Sequence, residues 1–456
     1  MKRQRRLMVL LGILVICIGA AAVISNINFE EKMVGTETAI VDVESSEITS
    51  LSWNYEEAVS FTCEDDQWKY TEDENMPVNQ ELLGEIAENL SDITSDKMVE
   101  EPQALSVYGL DDPAYSLSVG TADETVEISI GNESFTDGEV YISTGDGYVY
   151  LTDSSLIDEI SYSLYDLVQT DEIPEMETVT EVAIDKEDPA DIVYQENSGY
   201  GYSDAYTYYL KNGEEYQNLD NENTETLFST LSGFSWEECV DYYAEDSELA
   251  TYGLDDPDAV VTVSYEDEEG TAQQFIYEVA SADGSFYGRV KDSAVVCGIS
   301  QDVYDAAVNA SYDELKPDEI ILLDWETVDS IDVEIDGNVY TVEITHGGED
   351  EDDTYTLNDE KIEFGDVLDD LLTVTRADDE ELEEAGLGDP EAGDNTLEMA
   401  LTFHRNTEEY DTVELDFYQY NGTYCISVLN GEEKNYVSRE DVVSLKEAVN
   451  TIVLDQ

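Results

Sequence analysis

Beyond residue 45 the chain is dominated by alternation of apolar and polar positions, and the alternation comes in three rounds of one order. In the first round Ile48 to Trp53 and Val59 to Cys63 alternate as strands do, with one face apolar. The spacing of Leu82, Leu83, Ile86, Leu90 and Ile93 then predicts an amphipathic helix. Alternation returns at Ser116 to Val119, Val126 to Ile130, Val140 to Ser143 and Tyr148 to Leu151, and Ser154 to Val168 predicts a closing helix. The second round reads Val179 to Ile184 and Ile192 to Tyr194, then a helix on Leu227, Phe228 and Leu231. Four strands follow between Val260 and Gly298, and a helix over Gln301 to Leu315. The third reads Ile331 to Ile335 and Val339 to Ile344, then a helix on Phe364, Val367, Leu368, Leu371 and Leu372. Four strands follow between Leu397 and Val437, and a helix over Ser438 to Val453. A sheet with one apolar face needs a cover, which two helices per round supply. The predicted fold is therefore α+β, three tandem repeats of a β-β-α-β-β-β-β-α module with an antiparallel sheet.

A short motif marks the same place in each round, between the first helix and the four strands. Tyr108-Gly109-Leu110-Asp111-Asp112-Pro113 recurs as Tyr252-Gly253-Leu254-Asp255-Asp256-Pro257 and, worn, as Ala385-Gly386-Leu387-Gly388-Asp389-Pro390. The glycines stand about 130–145 residues apart, the spacing of whole domains and not of solenoid units. Gly takes a positive φ, Asp closes its own turn, and Pro opens a strand, so the motif reads as a structural turn whose Leu enters the core. A cation site on the paired Asp residues is the competing reading, weakened by Gly388 in place of the first Asp of round three. Module limits are expected at 46–170, 171–318 and 319–456, after a linker over 26–45.

The N-terminus carries Lys2, Arg3, Arg5 and Arg6, and then an uncharged run from Leu7 to Ser25. Nineteen residues make about 28 Å of helix, enough for a hydrocarbon layer of roughly 30 Å. A basic flank stays on the cytoplasmic side. The expectation is a cytoplasmic flank over 1–6, a single transmembrane anchor over 7–25, and all else extracytoplasmic at the cell membrane. Cleavage after Ala20-Ala21-Ala22 would give the same orientation. Lipid attachment at Cys17 is disfavoured by Ile16 before it.

Charge narrows the partners. The chain has 18 Lys and Arg against 111 Asp and Glu. Removing the four N-terminal bases leaves 14 against 111, a formal −97 beyond residue 25. Such a field repels nucleic acid and anionic lipid, and favours diffuse cations or a basic partner. With 41% apolar residues the chain nonetheless builds cores.

Catalytic signatures are missing. His346 and His404 lack zinc-ligand spacing, and no His-Glu-x-x-His, Gly-x-Ser-x-Gly or phosphate-binding loop occurs. No EF-hand spacing is found. Cys63, Cys239, Cys297 and Cys425 form no C-x-x-C pair; they allow two disulfides but no dense framework, and most read as small buried apolar residues. No catalytic, cofactor-binding or metal-binding residue is therefore assigned, and a non-enzyme is expected.

Trp68 after an acidic turn, in Asp66-Gln67-Trp68-Lys69-Tyr70, together with Tyr108 to Pro113, resembles an uncharacterised bacterial family, the domain of unknown function 4340. The resemblance implies an N-terminal membrane anchor and genes often beside those of an ABC transporter and a gliding-type auxiliary protein, and it brings no catalytic residues. The expected function is a membrane-anchored extracytoplasmic accessory or scaffold protein of an envelope ABC transporter. Two other readings remain. One is a cell-wall or glycan-binding module using the tyrosines clustered at Tyr200, Tyr202, Tyr206, Tyr208 and Tyr209. The other is an envelope hydrolase using a carboxylate pair.

Screening should relieve the self-repulsion of a −97 surface. Folding stability is therefore expected to rise with added salt or millimolar divalent cation. Calorimetry showing one tight, stoichiometric Ca²⁺ site would contradict this diffuse picture.

Overall fold

The computed structural model describes residues 33–134, 138–196, 201–347, 352–391, 393 and 395–454. The expected flank 1–6, anchor 7–25 and first part of the linker lie outside the described residues, as do Cys17 and Tyr200. The alternation is realised as three antiparallel sheets with helices, an α+β fold. Two compact units contain them. Of the described residues, the first holds those in 33–172, 236–249 and 292–298; the second holds those in 173–235, 250–291 and 299–454. The expected module limit at 318/319 thus lies inside the second unit.

In the first unit nine strands run in the order Met33–Asp42, Asp92–Val99, Val149–Asp153, Glu139–Ser143, Thr125–Glu133, Tyr115–Thr121, Ile48–Asn54, Ala58–Glu64 and Gln67–Tyr70. Leu51, Phe61, Leu117, Ile128 and Ile130 point to one face and are buried with Leu83, Ile86 and Leu90 of the helix Gln80–Leu90. Asn79 caps that helix by accepting a bond from the Leu82 amide, 3.0 Å. Gln80 clasps the strand end: its Oε1 accepts from the Trp68 amide at 2.7 Å, and its Nε2 donates to the Trp68 carbonyl at 2.9 Å. Trp68 is buried as a result.

Three expectations fail in this unit. Residues 33–42, placed in a linker, form a strand paired with Asp92–Val99. Ile93, assigned to the helical face, lies in that second strand; it follows Leu90 by three residues, so a helical count absorbs it. The closing helix over Ser154 to Val168 is only a turn, Ser155–Asp158, and a 3₁₀ turn, Tyr165–Leu167. Between them the serines bond locally, Ser161 Oγ to the Asp158 carbonyl and Ser163 to Asp166, which competes with helix. The unit also takes in the short antiparallel pair Cys239–Asp241 and Val296–Gly298.

Within the second unit one sheet runs Glu215–Asn218, Tyr208–Asn212, Ala190–Tyr194, Thr178–Asp185, Ala259–Glu266, Ala272–Ala282, Ser285–Val290. The other runs Glu360–Ile362, Thr354–Leu357, Asn338–Thr345, Val328–Ile335, Leu397–Arg405, Thr412–Gln419, Tyr424–Leu429, Glu433–Ser438. Helices Asn221–Ser232, Gly365–Leu372 and Arg439–Leu454 form where expected. The helix expected over Gln301 to Leu315 breaks into Gln301–Asn309 and Tyr312–Leu315, because Ser311 caps a new start by accepting from the Glu314 amide. Lys186 ends the first piece, donating to the Val308 and Ala310 carbonyls at 2.6 and 2.7 Å.

All three sheets share one irregularity. The first strand of each round pairs with the strand after the turn motif, and the register slips between Ile48 and Ser50, Val179 and Glu181, and Val328 and Ser330. Thr49 and Thr180, the extra residues of the first two, donate to Gly120 and Ser264 carbonyls, which stand opposite the residue after each bulge. The sequence gives no local sign of these bulges.

Leu254 is 2% exposed in its turn. Leu254→Ala should destabilise the second unit by about 2–5 kcal/mol. Gly109→Ala should be costly for another reason: at φ +72° its new Cβ would lie 2.5 Å from Asn132 Oδ1. Chemical denaturation in which both variants match the parent would contradict these placements.

Candidate functional site

The repeated motif is a helix-ending turn. Gly109, Gly253 and Gly386 all take the left-handed conformation, at φ +72°, +75° and +68°. The Leu110 amide donates back to the Leu105 carbonyl and the Leu387 amide to the Leu382 carbonyl, each at 3.0 Å. With Gly386 N–H on the Glu383 carbonyl, the third copy is a Schellman cap. Leu110 and Leu254 are buried, while Leu387 is half-buried beside Ile426, Val428 and Tyr436. Tyr108 and Tyr252, one residue ahead of the glycines, meet Tyr141 and Tyr287 edge-on at 5.1 and 5.2 Å. Asp111, Asp112, Asp255, Asp256 and Asp389 are exposed, and Pro113, Pro257 and Pro390 are half-buried. The motif therefore brings hydrophobic and backbone groups together and leaves its carboxylates in water. Among the described residues no three His, Cys, Asp or Glu side chains gather as metal ligands.

The tyrosine cluster proposed for sugars is largely core. Tyr202, Tyr206 and Tyr209 are 5%, 4% and 0% exposed, packed with Ile331, Phe364 and their neighbours. Tyr209 donates its hydroxyl to the Tyr206 carbonyl at 2.6 Å. Its strand alternates, so a run of tyrosines sends Tyr208 and Tyr209 to opposite faces; composition alone does not reveal which face is covered. His346 lies between Asp353 and the Val328 carbonyl, at 3.2 and 2.9 Å, and His404 contacts Asp332 at 3.0 Å. Bonds from Thr341 and His404 hold the Asp332 carboxyl below its usual range. Each histidine is thus held by a nearby acid.

A different set of tyrosines lines a concave surface of the second unit. A groove of about 550 Å³ runs past Tyr312, Lys316, Arg376, Leu387 and Tyr436. It shares Tyr312, Glu432, Lys434 and Asn435 with a second hollow of about 680 Å³ that adds Tyr216 and Tyr410. Three of the 14 bases beyond residue 25 stand here, so this is a place where acid does not prevail unopposed. Arg376 is held by Asp379 at 2.8 Å and Asp318 at 3.2 Å, yet its buried Nε has no partner. Lys316 meets Asp313 at 3.0 Å and Asp379 at 3.5 Å. Ring faces, fixed cations and flanking carboxylates suit hydrogen bonding to a hydroxyl-rich or zwitterionic ligand. The residues come from positions 212–217, 312–316, 376–390, 410 and 432–436, so no local signal announces them.

One carboxylate pair departs from the acidic background. Glu181 and Asp191, on neighbouring strands, share Lys211, whose Nζ lies 3.7 and 3.2 Å from them. The buried Oδ1 of Asp191 has no N–H or O–H donor, and a proton on Glu181 would give the pair a hydrogen bond. Burial, then the bond to Asp191 and its charge, raise the Glu181 carboxyl above its ordinary 4.5. The folded state therefore holds this proton to higher pH than the unfolded one, and its stabilising effect is lost as pH rises above the ordinary glutamate range. Glu181→Gln should have a higher Tm than the parent at about pH 8, with the difference closing toward about pH 4. A difference that grows toward low pH would contradict the shared proton.

The family model described as Domain of unknown function (DUF4340) matches residues 68–207 and 209–390. No curated protein and no solved structure matches the chain. The two matched stretches cover well over half of it, starting at the clasped Trp68 and ending at Pro390 of the third turn. The chain belongs to the DUF4340 family.

Proposed function

We propose that the chain is a non-catalytic, membrane-anchored scaffold or accessory subunit of an ABC-type envelope transporter, and that its extracytoplasmic bulk is three variants of one module. The observation that carries this is the recurrence of the glycine cap and the strand bulge in all three sheets. What recurs secures the fold, and the surface left over is acidic. The tyrosine pair behind the cap recurs in two of the three. The basic and apolar residues 1–25 support an anchor with the bulk outside. Among the described residues no helix is long and apolar enough to cross a membrane, and the anchor lies outside them. An acidic module of this kind recruits a partner by its basic surface, accelerating encounter more than strengthening the final complex.

The groove favours a second reading, a cell-wall or glycan-binding module, because Tyr216, Tyr312 and Tyr410 stand together around a hollow. The hydrolase reading is served by the Glu181–Asp191 pair.

Cross-linking in native membranes followed by capture of the chain should recover transporter membrane subunits. Their yield should fall steeply as salt is raised at the cross-linking step. Recovery of the chain alone would sink the scaffold reading. Retention on wall fragments that disappears in Tyr312→Ala would instead establish the glycan reading.

A further inference from the structure

We propose that Cys239 and Cys297 are a disulfide-forming pair, oxidised by a disulfide of a thiol–disulfide oxidoreductase or of a small thiol. The two residues stand directly opposite one another on antiparallel strands, Cys239–Asp241 and Val296–Gly298. Opposed residues of such strands have Cα atoms about 4.5–5.5 Å apart, within the roughly 4.4–6.8 Å that a disulfide spans. Both belong to the first unit and both are buried, at 3% and 2% exposure. Both are free thiols here, and the two side chains are hydrogen-bonded to each other. The remaining cysteines are differently placed. Cys63 faces Trp68 across its strand pair, and Cys425 lies in the core of the second unit.

The chemistry balances without a metal. Either cysteine can act as the first nucleophile while the strands dock; with Cys239 attacking, its S–H first gives up its proton. Its Sγ attacks the oxidant's disulfide, breaking that S–S bond and releasing one thiol. Cys297 then gives up its proton and attacks Cys239 Sγ, expelling the second thiol and leaving one protein S–S bond. Two protein S–H bonds are oxidised and one external disulfide is reduced to two thiols. Burial in the finished unit requires the exchange to occur while these strands are still docking. The loop so closed, 239–297, contains the second turn motif, so the bond ties together the two segments through which the chain re-enters the first unit.

The inference rests on the exterior placement for its oxidant but not for its geometry, and two arms separate them. In the first, cells are lysed into denaturant with iodoacetamide and no reductant, and the full chain is digested and mapped by mass spectrometry. A peptide pair joined through Cys239 and Cys297, with Cys63 and Cys425 alkylated, is expected. In the second, the reduced full chain is refolded with oxidised glutathione and mapped in the same way. The same link should form, and reductant should lower its Tm by several degrees, an effect absent from Cys239→Ala/Cys297→Ala. If only the second arm yields the link, the pairing stands and the exterior placement fails. If both arms leave Cys239 and Cys297 alkylated, glutathionylated or joined to other cysteines, the pairing is overturned.

Discussion

The constraint on which this fold depends is that 111 carboxylates must stay hydrated while 14 bases beyond residue 25 are available to oppose them. Taking an ionised carboxylate out of water without a partner costs several kcal/mol. Each strand therefore has to separate its acids from its core residues without error. Val328–Ile335 shows the result: Val328, Ile331, Val333 and Ile335 are buried, while Asp329, Asp332 and Glu334 are not. The scarce bases stand where the separation is least complete. Glu278, a buried acid, is met by Arg289 at 2.7 Å; Glu139 by Lys97 at 2.6 Å; Glu398 by Lys446 at 3.1 Å and Arg439 at 3.8 Å. These pairs exclude unpaired buried charge more than they add stability.

The same constraint explains what could be read from the sequence. Where alternation has to be strict it is also visible, and the six strands expected in each round are present. The β-β-α-β-β-β-β-α order nonetheless omits Gln67–Tyr70, Asp92–Val99, Tyr208–Asn212, Glu215–Asn218, Cys239–Asp241, Thr354–Leu357 and Glu360–Ile362, most of them short. The turn was recognisable, because Gly, Leu and Pro each have one plain local use there. The missed features obey weaker local rules. The second residue of Asp92–Val99, Ile93, also fits the preceding helical count. The serines of 154–168 choose local bonds over a helix that the apolar spacing allows. The bulge residues Thr49 and Thr180 are ordinary strand residues, and only the paired strand shows that each is one too many.

Assignments that depend on long-range assembly were the least legible. Five tyrosines within ten positions offer a sugar-binding alternative for Tyr202, Tyr206 and Tyr209 beside the plainer reading as sheet residues. Their burial depends on residues from 320 to 449 that cover them. The groove is the converse: Tyr216, Tyr312, Tyr410 and Tyr436 are scattered along the chain and meet only in the fold. Likewise, no composition shift marks 236–249 and 292–298 as part of the first unit. Periodicity reports which face of an element is buried and says nothing about which element buries it.

Charge also decides which kinds of restraint suit this chain. Ion pairs weaken as salt rises, yet salt is what relieves the repulsion among the carboxylates, so the two act in opposite directions with ionic strength. A left-handed glycine cap, a strand bulge, an apolar core and a glutamine clasp are neutral and are unaffected by that exchange. The three sheets repeat neutral restraints of this kind, while their ion pairs differ from sheet to sheet. A surface secured in this way is free to vary its acids without losing its fold. That freedom is useful to a module whose work lies in the partner its surface presents to, and of little use to one that must hold a few reacting groups in fixed geometry.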